Sequence, residues 1–132
     1  MPRDLKITRL IITHFDWECA DMDFEATLGF DTVYTPGASM SSGGSILRIE
    51  TSAGISGEAP GDVDARTARY LLGRNPLDRE IIWRDLKRWR RIEDGTPPAA
   101  VDMALWDLAG KLYGAPVHEL LGGAWRAKLP AY

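Results

Sequence analysis

Residues 100–123, AVDMALWDLAGKLYGAPVHELLGG, carry more apolar side chains than the rest of a 132-residue chain can cover. Val101, Leu105, Leu108 and Leu112 recur at helical spacing and form one stripe, which Trp106, Ala109 and Tyr113 widen around the side. A helix that is apolar on more than one face needs two neighbours. Only one is evident in the remaining sequence, so the chain is expected to be a piece of a larger molecule.

The remaining sequence divides into strands and then helices. Residues 6–15 are rich in β-branched side chains, with Ile7, Ile11, Thr13 and Phe15 predicted on one face and Leu10, Ile12 and His14 on the other. Residues 16–44 lose that alternation and collect glycine, serine and proline, which predicts a long functional or mobile loop. Residues 46–51 and 55–59 read as two strands joined at Ser52, Ala53 and Gly54, a hairpin. Asp62 or Asp64 is positioned to cap a helix that ends at Gly73, and Asn75 with Pro76 is expected to start the next. Ile82, Leu86 and Trp89 form its apolar stripe. With the run at 100–123 this makes an α+β chain: a three-stranded antiparallel sheet followed by a helical bundle.

The third helix closely resembles the signature helix of the mandelate racemase and muconate-lactonizing branch of the enolase superfamily. The resemblance rests on Val101, Asp102, Ala104, Leu105, Trp106, Asp107, Gly110, Lys111, Pro116, Leu121 and Gly122. It continues through the opening strand at Lys6 to Arg9, the Gly57 and Glu58 pair after the hairpin, and Trp125 with Arg126. Pro97 departs from the alanine common in the family, and proline is tolerated in a first helical turn.

What the resemblance implies is an N-terminal capping domain, residues 1–125, with residues 126–132 opening the first strand of a TIM-like barrel that is absent from this chain. A barrel needs roughly 250 residues. The family's bases and its three Mg2+-binding carboxylates lie beyond that point. No catalytic, cofactor-binding or metal-binding residue is therefore expected here, and Mg2+ is expected only in the full-length enzyme.

The resemblance also implies that the loop after the first strand and the loop after the hairpin close over a carboxylate-bearing substrate. By position the substrate-capping candidates are Trp17, Phe24, Glu25, Thr27, Leu28, Phe30 and Glu58: Phe24, Leu28 and Phe30 as apolar walls, and Glu25 or Thr27 toward a substrate hydroxyl. The alternative for these aromatics is that they pin the loop to its own domain. Closure matters because proton removal beside a carboxylate creates an enediolate, whose charge is held best in a water-poor site. An acid-sugar dehydratase is the expected full-length activity, with a racemase, epimerase or cycloisomerase as alternatives. A stand-alone, non-catalytic binding module is the rival from another class.

Composition excludes other readings. A net charge of -3 and a pI near 5.3 give no electrostatic reason for a nucleic-acid partner. Arg84, Lys87, Arg88, Arg90 and Arg91 crowd one helix, but acidic neighbours surround them, and a solvated helix face is the preferred reading. Neither a signal peptide nor a bilayer-spanning run is legible, so a cytoplasmic protein without a membrane partner is expected, and a homo-oligomer. The lone Cys19, beside Glu18, lacks the cationic surroundings that stabilise a thiolate. His14 and His118 show no metal-ligand spacing with it. Asp102 and Asp107 are five residues apart on one helix, so they project differently and do not converge on one proton.

Overall fold

The computed structural model describes residues 4–19, 24–27, 31–34, 39–93, 99–124, 126 and 128, and among these the alternating first half and the helical second half become five strands and four helices. The strands are β1 (Ile7–Cys19), β2 (Phe24–Thr27), β3 (Asp31–Tyr34), β4 (Met40–Thr51) and β5 (Ser56–Pro60). The helices are α1 (Ala65–Leu71), α2 (Arg79–Glu93), α3 (Ala99–Tyr113) and α4 (Val117–Leu120). The chain divides into two units, Met1–Ile12 with Ile46–Tyr132, and Thr13–Ser45.

In the larger unit β1, β4 and β5 form an antiparallel sheet in that order, which bears out the α+β reading. β4 and β5 pair with Ile49 opposite Gly57 and Arg48 opposite Glu58. Strand alternation then sends Leu47, Ile49, Gly57 and Ala59 inward and Arg48 and Glu58 outward. The core joins Ile7, Leu47 and Ile49 of the sheet to Leu71 of α1, Ile82 and Leu86 of α2, and Val101, Ala104 and Leu105 of α3. α2 and α3 contribute residues three or four apart, as an amphipathic helix must. The outer edge of β1 is partly occupied: Ile7 N–H donates to the Arg74 carbonyl and Gly73 N–H to the Ile7 carbonyl, both at 2.9 Å.

Helix boundaries follow local chemistry. The Asp64 carboxylate accepts from Thr67 N–H at 2.6 Å and caps α1, as expected. Asn75 and Pro76 do not begin α2. The Asn75 side chain accepts from Leu77 N–H at 3.0 Å and its carbonyl from Asp78 N–H at 3.2 Å, closing a separate turn, and the helix starts at Arg79. An asparagine that serves its own turn cannot also lead the helix.

Two further expectations are corrected. Residues 16–44 are not a structureless loop: β1 runs on to Cys19, β4 begins at Met40, and β2 pairs antiparallel with β3. Serine and glycine in β4 hid a strand whose pairing is made by the backbone. On β1, Leu10 and Ile12 pack against the same core as Ile7, while Phe15 is 41% exposed. Strict alternation from Ile7 fails before Leu10, so the faces read from sequence are exchanged beyond that point.

Candidate functional site

The signature helix meets the sheet at Gly57. A Cβ added there would collide with the Ala104 carbonyl oxygen and lie 2.7 Å from Leu108 Cβ, so β5 and α3 approach backbone to backbone. One residue on, Glu58 N–H donates to Asp107 Oδ2 at 2.8 Å. β5 is an edge strand, and this carboxylate satisfies a backbone donor left without a strand partner. Lys111 Nζ sits 2.6 Å from the same oxygen, one helical turn along α3. The Gly57 and Glu58 pair and the helix positions Ala104, Asp107 and Lys111, separate in sequence, are thus one packing device.

The outer sheet face is lined by ion pairs. Arg48 Nε lies 2.6 Å from Glu58 Oε1, and Arg9 Nε 2.8 Å from Glu50 Oε2. The hydrogen bond from Arg9 holds the Glu50 carboxyl below the usual carboxylate range, against partial desolvation. The Glu58 carboxylate, a substrate-capping candidate, is engaged by Arg48.

Two clasps hold the helices. Between α1 and α2, the Tyr70 hydroxyl donates to Asp85 Oδ2 at 2.7 Å, and its ring meets Trp89 edge-on at 4.6 Å between centroids. Burial, then the Asp85 hydrogen bond, push the Tyr70 phenol up to about 12. The same bond lowers Asp85. Between α2 and α3, the Arg79 guanidinium lies 3.7 Å from the Trp106 ring centroid, with one buried nitrogen lacking a hydrogen-bond partner. Asp102 lines the same junction; burial and then Glu80 raise its pKa, and Arg79 opposes them.

In the smaller unit, Phe15 and Trp17 stack at 5.5 Å between centroids, 24° from parallel, both exposed. The Phe15 ring lies over Gly44, where an added Cβ would come within 3.0 Å of Cζ. Phe24, Glu25 and Thr27 belong to β2, and Leu28 and Phe30 fall outside the described residues.

Of the signature residues, Val101, Ala104 and Leu105 are buried in the core, while Leu121 is 64% exposed. An open cleft of about 370 Å3 is lined by Asp107, Gly110, Lys111, Gly114, Pro116 and Val117 among others. Among the described residues no group of three histidines, cysteines or carboxylates stands close enough to hold a metal ion. Residues 129–132, and Pro97, lie outside the described residues. The Tyr70 to Asp85 clasp, the Arg79 stack and the Gly57 approach were not read from sequence; the only trace of the aromatic platform was the spacing of Phe15 and Trp17 by two.

The N-terminal domain family of mandelate racemase / muconate lactonizing enzyme matches residues 37–122. A D-galactonate dehydratase family member of Pseudarthrobacter chlorophenolicus is 41% identical over 101 residues, covering 65% of this chain and 25% of its own length. The D-galactonate dehydratase of Ralstonia nicotianae is 34% identical over 100 residues, with 65% and 26% covered. Among solved structures, the D-glucarate dehydratase of Agrobacterium tumefaciens complexed with magnesium superposes with a TM-score of 0.70 at 27% identity, covering 90% of this chain and 33% of that one. The chain spans about a quarter of the length of the curated relatives it matches.

Proposed function

We propose, for a chain that belongs to the mandelate racemase and muconate lactonizing enzyme family as its N-terminal domain, that it caps the active site of a Mg2+-dependent acid-sugar dehydratase. The observation that carries this reading is that the matched span contains both β5 and α3, the two elements tied through Gly57 and Asp107. The curated relatives matched at 41% and 34% identity are a D-galactonate dehydratase family member and a D-galactonate dehydratase.

The reaction takes the proton α to the carboxylate and expels the β-hydroxyl as water, so that the enol relaxes to a 2-keto-3-deoxy acid. Bound Mg2+ would hold charge on the enediolate oxygens. The residues described here do not fit that ion, so no step is routed through it; base and metal ligands would follow in the barrel that opens at residues 126–132. This chain's share is to exclude water and to contact the substrate end distant from the carboxylate. Trp17, Phe24, Glu25, Thr27, Leu28, Phe30 and Glu58 are the residues assigned to that contact. A homo-oligomer in the cytoplasm is proposed with it; no helix among the described residues is long and apolar enough to cross a membrane.

The test is the full-length protein on a panel of acid sugars, with Mg2+ and with a chelator. Formation of 2-keto-3-deoxy acids only with Mg2+ supports the reading. Exchange of the α-proton in deuterated water without loss of water would instead favour a racemase or epimerase. Alanine at Trp17, Phe24, Leu28 or Phe30 is expected to reorder kcat/KM across substrates with little change in Tm. A lower Tm with the order unchanged would remove the capping assignment.

A further inference from the structure

Phe15 and Trp17 of β1 make a two-ring platform that faces solvent: they are 41% and 43% exposed, and their rings stack 5.5 Å apart, 24° from parallel. Three rings of the larger unit are each covered by a guanidinium, Trp89 by Arg66, Tyr70 by Arg74 and Trp106 by Arg79. Among the described residues no cation covers Phe15 or Trp17.

The neighbouring backbone separates this apolar surface from charge. An added Cβ at Gly44 would come within 3.0 Å of Phe15 Cζ, and one at Gly43 would collide with Asp16 Oδ1. Two successive glycines of β4 therefore leave room for the rings on one side and for Asp16 on the other. His14, Asp16 and Glu18, all exposed, share that second side by strand alternation. Residues 13–45 contain no lysine or arginine.

This arrangement selects one kind of ligand group. An aromatic face carries the negative part of the ring's quadrupole, so it attracts polarised C–H groups and repels a carboxylate. A segment without lysine or arginine offers a carboxylate no partner, and Asp16 and Glu18 repel it. The carbon chain of a polyol presents C–H edges that stack on rings, while its hydroxyls keep their water.

We infer that Phe15 and Trp17 hold the uncharged polyol end of an aldonate, a sugar acid with one carboxylate, and disfavour an aldarate, which carries a carboxylate at both ends. Phe15 and Gly44 thereby join Trp17 as determinants of specificity. The inference rests on the capping reading and narrows its substrate class.

The full-length protein with Mg2+ is assayed on aldonates, each beside the aldarate of the same configuration. The ratio of kcat/KM is expected to favour the aldonate by at least about tenfold, and to narrow at about 500 mM salt, where like-charge repulsion is screened. Phe15→Leu keeps apolar cover on Gly44 but loses the flat ring. That variant and Trp17→Ala should each lower kcat/KM for aldonates about threefold to tenfold, through KM, while Phe15→Tyr retains it. Ser42 lies on the Gly44 side by alternation, so Ser42→Arg brings a cation to the platform and should shift the ratio toward aldarates by about tenfold. Circular dichroism identifies a variant that has lost its fold, and Ser42→Lys replaces Ser42→Arg in that case. Aldarates used as well as aldonates, Phe15→Leu and Trp17→Ala without effect, or a ratio unmoved by the new cation would each overturn the inference and leave the dehydratase reading in place. Absence of dehydration of any sugar acid removes that reading and this inference with it.

Discussion

Asp107 on α3 accepts the backbone N–H of Glu58 on β5 at 2.8 Å, so the signature helix supplies the acceptor that an edge strand lacks. Asp107→Ala leaves that half-buried donor unpaired and is expected to destabilise the protein by about 1–3 kcal/mol. Lys111→Ala breaks only an exposed pair with the same carboxylate and should cost less than about 1 kcal/mol. Asp107→Asn, whose amide oxygen still accepts, should fall between them. Urea unfolding of the three variants gives the order; equal losses for Lys111→Ala and Asp107→Ala would mean the ion pair, not the strand, is what Asp107 serves.

Gly57→Ala is expected to be more damaging than its size suggests. The new methyl meets the Ala104 carbonyl and the Leu108 backbone rather than a flexible side chain, so helix and strand must separate. A loss of roughly 1–3 kcal/mol, toward the upper end, follows from overpacking. Calorimetry of the alanine variant decides it, and a Tm within experimental scatter of the parent would refute the close approach.

The Tyr70 phenol titrates at about 12, above its ordinary 10.0. The folded state therefore holds that proton more tightly than the unfolded chain. Its contribution to stability is complete below pH 10.0 and is lost as pH rises toward 12. Ultraviolet titration should show a tyrosine phase above the ordinary 10.0. Tyr70→Phe removes that phase, and Asp85→Asn moves it to lower pH by deleting a hydrogen-bonding carboxylate.

Arg79 is the group that opposes burial and Glu80 in setting the Asp102 pKa. Arg79→Met should raise that pKa further, since the opposing charge is gone while burial remains. With a raised folded value, stability from this group grows as pH falls through the range between the ordinary and folded values. Carboxyl-carbon NMR titration measures the shift; a fall on replacing Arg79 would exclude the assigned balance.

Much of this was legible from the residues themselves. The stripe of Val101, Leu105 and Leu108 determined α3 because 3.6-residue periodicity is a local property. Asp64 announced the start of α1 by cap chemistry, and the order of strands and helices determined the α+β class. The motif from Val101 to Gly122 was enough to place the family. What tertiary structure decided was every relation between distant residues. Gly57 is silent until Ala104 lies against it, and Asp107 looks like one half of a carboxylate pair until Glu58 N–H meets it. Tyr70 acquires its high pKa only from burial and Asp85, both brought by another helix. The extension of β1 to Cys19 and the start of β4 at Met40 escaped notice because backbone hydrogen bonds, which every residue type can make, carry β4 through a serine- and glycine-rich start. Periodicity and capping are written within a few residues; edge pairing, close approach and desolvation exist only where the fold brings separate segments together.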